Sequence, residues 1–120
     1  MHDAGMHIGS HSVTHAFLDE LSDAEARREV EESVHRLHEE LGAPVRWFAY
    51  PRGRARESIK PLLRQAGIEA AVTTRLGRNA VGADLLDLRR LDAGYNKLQG
   101  GFDACTFEAE LQGWFVRARQ

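Results

Sequence analysis

The sequence is short of cysteine, of charge imbalance and of long apolar runs, and each shortage closes off a class of protein. Cys105 is the single cysteine, so no disulfide can form within the chain. Two positions before Phe107, it reads as a small packed side chain and not as a nucleophile. Sixteen basic residues against eighteen acidic ones leave a formal charge of −2. That balance argues against a partner such as nucleic acid, whose binders carry a basic excess. No apolar stretch approaches the roughly 18 residues that a membrane span needs, and the N-terminus does not resemble a signal peptide. The compartment therefore stays open. Internal repeats are absent. What is present, 42% hydrophobic residues in a chain of 120, can build one domain around a small core.

The stretch Gly5-Met-His-Ile-Gly-Ser-His-Ser-Val-Thr-His15 stands out. It reads as a short apolar strand (Met6, Ile8) running into a loop that presents His11 and His15. Residues four apart share one face of a helical turn, where two imidazoles can reach one cation. Neutral imidazole is a ligand for Zn²⁺ and similar borderline metals. The spacing alone does not decide it, because six histidines produce such pairs by chance and His7 with His11 is already a second one. His35 and His38 could be a third pairing, but surface histidines on a charged helix are ordinary. Before this stretch, Met1–Gly5 resembles the last turn of a helix, with Gly5 as its left-handed terminator.

Downstream, helices and strands alternate. Ser22 and Glu25 form a capping-box pattern, and Ala26, Val30, Val34, Leu37 and Leu41 then make one apolar stripe that Gly42 and Pro44 end. Val45–Tyr50 is β-rich and apolar, the mark of a buried strand, and Pro51-Arg-Gly53 breaks it. A second helix is predicted from Ser58 as its cap, with Pro61 in its first turn and Ile59, Leu62, Leu63 and Ala66 buried. Ile68–Thr74 is a third strand, Gly77–Asp87 mostly loop, and Leu88–Asp92 a fourth, shorter strand. After a Gly-rich turn (Gly94, Gly100, Gly101), Phe107, Leu111, Trp114, Phe115 and Ala118 line a C-terminal helix. The pattern implies an α/β fold with about four parallel strands and outer helices, roughly half of a (β/α) barrel. Chemistry in such folds sits where strands end, which puts the His11/His15 loop and the Pro51–Gly53 loop on one face.

The string G-x-H-I-G-S-H-S-V-T-H, followed by Phe17-Leu18 and Leu21-Ser22, resembles the metal-binding motif of the polysaccharide deacetylase (NodB-homology) family. The resemblance continues through Phe48-Ala-Tyr-Pro-Arg-Gly53, Leu63-Arg-Gln-Ala-Gly67 and Ala70-Ala-Val-Thr-Thr74. It implies a distorted, here partial, (β/α) barrel, a carbohydrate substrate and removal of its acetyl groups by amide hydrolysis. It also implies a divalent metal, zinc first, held by His11, His15 and an aspartate, with an aspartate as base and a late histidine as acid. Tyr50, Pro51, Arg52 and Gly53 would form one wall of the substrate groove. The main-chain N–H of Arg52, standing where the family has tyrosine, would face the oxyanion.

Two departures matter. Ala49 replaces the family arginine that orients the base. The expected Asp-Asp motif and the late histidine have no match, since only ten residues precede His11 and no histidine follows His38. Asp3 and Asp19 fall outside the motif as substitute ligands. Residues 1–120 are thus expected to be a single truncated domain, starting in mid-domain and comprising the family's middle and C-terminal portion. Three functions stay open: the deacetylase itself, a non-catalytic remnant that binds sugar or packs with another chain, and a relative acting on another amide C–N bond. Unpaired barrel edges point to a homo-oligomer; no nucleic acid or membrane span is expected.

Overall fold

The computed structural model describes residues 1–91, together with the backbone of 95–96 and 101–102. A 3₁₀ turn, His2–Ala4, ends at Gly5 with φ 85°, the left-handed termination expected from the sequence. Helix α1 spans Asp23–Leu41. Ser22 accepts from the Glu25 main-chain N–H while the Glu25 carboxylate takes the Ser22 N–H, so the capping box is closed in both directions. The apolar stripe faces inward: Ala26 and Val30 are buried, and Val34, Leu37 and Leu41 pack partly buried against the core.

Strand β1, Trp47–Ala49, is shorter than predicted, and Tyr50 turns directly into a 3₁₀ turn at Pro51–Gly53. A further 3₁₀ turn, Glu57–Ile59, runs into α2, Lys60–Gln65. Here the prediction of a Ser58 cap fails. Ser58 lies inside the 3₁₀ turn, and α2 begins after Ile59 without a side-chain cap, carried by Pro61 in its first turn. Ile59, Leu62 and Leu63 are buried as expected. Strand β2 is Ala70–Leu76 and β3 is Leu88–Arg90. The predicted C-terminal helix over Phe107–Ala118 falls outside the described residues. The Gly-rich segment contributes a short antiparallel pair, β4 (Tyr95–Asn96) with β5 (Gly101–Phe102).

The sheet is parallel, in the order β1-β2-β3, with Trp47 opposite Ala70 and Val72 opposite Leu88. Ser10 adds to the free side of β1 as a parallel bridge to Phe48. What was predicted as a Met6–Ile8 strand is therefore a single bridging residue at Ser10, parallel to β1 as the predicted sheet requires. Phe48, Tyr50 and Ala71 pack with Val30, Ile59 and Leu63 between the sheet and the two helices. Trp47, one residue out of phase with Phe48, faces the other way and is 40% exposed.

One buried cation ties the loops above the sheet together. Lys60 is 5% exposed, and its ammonium meets Glu57 at 2.6 Å, Asp84 at 2.7 Å and Asp87 at 3.5 Å. Hydrogen bonds to Asp84 and Glu57 raise the lysine's pKa above its usual range, and the Lys60 hydrogen bond in turn lowers that of Asp84. A lowered carboxyl contributes stability above its unfolded pKa and loses it as pH falls through the folded one. Asp84→Asn should therefore lower the urea midpoint at pH 7, and the gap to the parent should close on acidification. Asparagine keeps an oxygen for the Leu86 N–H that Asp84 now accepts, so the comparison isolates the charge. A gap independent of pH would mean that this ion pair does not support the fold.

Candidate metal and substrate site

The histidine loop begins from a fixed point. Ser10 donates its main-chain N–H to Trp47 O at 2.8 Å and accepts from Ala49 N at 2.9 Å. Its buried hydroxyl lies 2.6 Å from that of Ser33 on α1, which also donates to Val30 O at 2.8 Å. Beyond Ser10 the chain leaves the sheet without forming the helical turn that the four-residue spacing suggested. Bends replace it, with Ser12 at φ 67° and His15 at φ 60°. Non-glycine residues occupy that region only when their surroundings hold them there. The two rings nonetheless come together, centroids 4.8 Å apart at an interplanar angle of 64°.

His11 is oriented by the sheet. Its Nδ1 lies 2.7 Å from Ala49 O. A carbonyl only accepts, so the hydrogen bond places the proton on Nδ1 and leaves the lone pair on Nε2. This is how ligating histidines are fixed in metal sites, with one ring nitrogen donating to a carbonyl and the other free for the cation. Ala49 thus serves the site through its main chain, a role that no side-chain pattern announces. His15 touches His11 and, edge-on, Phe17 at 6.5 Å. The segment between the histidines is gripped from α1 by Glu29, which accepts from Val13 N, Thr14 N and Thr14 Oγ1, each at 2.9 Å.

The facing wall is the turn after β1. Tyr50 is buried, its hydroxyl donating to Leu86 O at 2.7 Å, and burial pushes its phenol pKa up. Pro51 is buried as well. These two side chains back the wall from inside the core, while Arg52 and Gly53 form its outer surface. Arg52 has φ 53° and Gly53 φ 68°. The Arg52 guanidinium sits 5.3 Å from the centre of the Phe17 ring, and that of Arg54 sits 5.1 Å from it. Phe17 therefore bridges the two loops, meeting His15 on one side and Arg52 on the other. Cation–π contacts of this kind contribute about 0.5–1 kcal/mol at exposed positions. Both arginines are exposed, and Arg54 is also held by Asp19 and Glu20, both at 2.8 Å.

As metal ligands, His11 and His15 fit in chemistry and placement but supply only two donors. Among the described residues no third histidine, cysteine, aspartate or glutamate joins them in a metal-binding group. Asp3 lies beside His2 at 3.8 Å, and Asp19 is committed to Arg54. The other histidines lie apart from this arrangement. His7 packs edge-on to Trp47, His35 pairs with Glu39 at 3.3 Å, and His38 Nδ1 lies 2.9 Å from Ala43 O.

Comparison with known proteins bears on the family and the fold. The family model described as polysaccharide deacetylase matches residues 1–71, more than half of the chain. The deacetylase PplD of Streptococcus pyogenes, solved in complex with acetate, is 26% identical, with a TM-score of 0.67 over 69% of this chain and 37% of its own. The polysaccharide deacetylase BC0361 of Bacillus cereus is 28% identical, with a TM-score of 0.66 over 74% of this chain and 28% of its own. IcaB of Ammonifex degensii covers 93% of this chain and 48% of its own at a TM-score of 0.69; at 21% identity that likeness speaks for the fold. No curated protein matches the sequence significantly. The chain spans between 28% and 48% of the length of these three solved structures.

The wall depends on a missing side chain. A Cβ built on Gly53 would press into Thr74, 2.7 Å from its Cβ and closer still to Oγ1 and the main-chain N. Gly42, also left-handed at φ 64°, has nothing within 4 Å. Gly42→Ala should therefore cost about 1 kcal/mol, the left-handed penalty alone. Gly53→Ala adds an overpacking cost of about 1–3 kcal/mol and should lower the urea midpoint clearly further. Equal losses in the two variants would show that the Gly53–Thr74 contact does not constrain the wall.

Proposed function

The chain belongs to the polysaccharide deacetylase family, and on that premise we propose that it carries the two-histidine part of a divalent-metal centre, zinc by preference, for removing acetyl groups from N-acetylated carbohydrate. The observation that carries this reading is the His11–Ala49 hydrogen bond, which leaves Nε2 of His11 free beside the His15 ring. Both imidazoles would hold the cation through neutral lone pairs. When bound, such a cation lowers the pKa of a water and polarises an acyl carbonyl. This chain's own part is to orient. Ala49 fixes the His11 tautomer, Phe17 spaces the histidine loop from the wall, and the Arg52 main-chain N–H is the donor offered to the acyl oxygen.

A second reading, sugar binding without turnover or packing with another chain, has its own support. The described residues assemble no third metal ligand. Trp47 is 40% exposed on the sheet face opposite the helices, and Met6 is 57% exposed. Exposed apolar surface and unpaired strand edges favour association with a further chain or a second copy of this one. No helix among the described residues is long and apolar enough to cross a membrane.

Calorimetric titration with Zn²⁺ tests the metal assignment. Two neutral ligands hold the cation less tightly than sites completed by a carboxylate or thiolate, so binding at neutral pH should be weak. It should vanish on acidification, because a protonated imidazole has no lone pair to give. His11→Ala or His15→Ala should abolish it, and His35→Ala and His38→Ala should leave it unchanged. Metal held by His35 or His38, with His11 and His15 dispensable, would overturn the assignment.

A further inference from the structure

We propose that Glu29 is a positioning residue for the histidine pair: its carboxylate, clamped on Val13 and Thr14, holds the turn that presents the His15 ring to His11. His11 has its own anchor in Ala49 O. The contacts of His15 are of a weaker kind, ring against ring with His11 and Phe17. What fixes His15 is therefore the main chain just before it, and that main chain ends on Glu29. One carboxylate oxygen, Oε2, takes the consecutive N–H groups of Val13 and Thr14, while Oε1 takes the Thr14 hydroxyl, all at 2.9 Å. Two successive N–H groups converging on one anion form a concave donor pair, and hydrogen bonds to an ionised acceptor are roughly twice as strong as neutral ones.

The clamp also sits where the backbone needs it. Ser12 at φ 67° and His15 at φ 60° flank the two gripped residues. Left-handed non-glycine residues are strained and persist only where the surroundings over-determine them. Three charge-assisted hydrogen bonds supply such a restraint. Burial pushes the Glu29 carboxyl up, but the hydrogen bonds from Thr14 and Val13, with Arg28 nearby, outweigh it and leave the group below the usual carboxylate range. It is thus ionised at neutral pH. Because α1 is rigid and its N-terminus is boxed, the clamp refers the loop to a fixed support.

The effect on metal affinity rests on the proposed metal-binding reading, so the test has one arm without metal. Proton NMR of the protein with labelled imidazoles reads the through-space contact between the His11 and His15 rings. Glu29→Met keeps the side chain's length and helix preference but replaces the carboxylate with an uncharged, weakly accepting sulfur. It should abolish that contact while the His11 Nδ1–H signal persists, and Glu29→Ala should do the same if it folds. Glu29→Gln, which can still offer an oxygen to both N–H groups, should restore the contact. Glu40→Ala, on the exposed face of the same helix, should change nothing. In the metal arm, Zn²⁺ affinity should fall about 10- to 100-fold in Glu29→Met, the usual cost of losing an outer-shell support, and stay within about threefold of the parent in Glu29→Gln. A Glu29→Met variant that keeps the ring contact overturns the proposal, whatever its melting temperature. If the parent binds no Zn²⁺ yet the ring contact depends on Glu29, the positioning role stands and the metal reading alone fails.

Discussion

The histidine loop is hung from Ser10. Its main chain is locked into β1 in both directions, and its buried hydroxyl meets Ser33 on α1. A hydroxyl pair sealed from water must stay paired, because one left without its partner costs about 1–3 kcal/mol. This small polar joint therefore sets the spacing between sheet and helix at the residue where the histidine loop departs. His11 follows immediately and is caught by Ala49 O, one strand over. The same two residues of β1 that hold Ser10, Trp47 and Ala49, thus frame the first half of the histidine pair.

From that point the site is assembled by three supports of different kind. The sheet orients His11 through a carbonyl, helix α1 grips the turn through Glu29, and the wall loop closes on Phe17 through Arg52 and Arg54. Charge is distributed accordingly. Arg54 is neutralised by Asp19 and Glu20, Arg56 meets Asp23 at 2.7 Å, and Lys60 is surrounded by three carboxylates. These pairs tie the segment from 54 to 60 to the turn before α1, to the first residue of α1 and to the loop before β3. Arg52 is left as the exposed guanidinium at the edge of the histidine loop, and the left-handed turn at Arg52–Gly53 is what places it there.

Much of this was legible in the sequence where periodicity or a local rule carries the signal. The α1 stripe, its capping box, the left-handed Gly5 and the alternation of strands with helices all rest on neighbours in the chain. The shortfalls are long-range. Ser58 looked like a cap because a serine before an apolar run usually is one, but it lies inside a 3₁₀ turn whose last residue, Ile59, is buried in the core. The i,i+4 spacing of His11 and His15 suggested a helical turn, yet left-handed bends gripped from α1 achieve the proximity instead. Glu29 and Ser33 read as polar residues beside the α1 stripe. Glu29 follows Ala26 by three residues and Ser33 follows Val30 by three, and that position next to a buried stripe was the available hint. Ala49 could not be found this way, since its contribution is a carbonyl.

The central claim is that His11 and His15 together form the metal-holding edge of a polysaccharide deacetylase fold. Anomalous diffraction at the zinc absorption edge, from crystals grown with Zn²⁺, tests it most directly. The account predicts one peak within about 2.0–2.1 Å of His11 Nε2 and of a His15 ring nitrogen, the normal Zn–N distance. A zinc peak at His35 or His38 with none between His11 and His15 would contradict it.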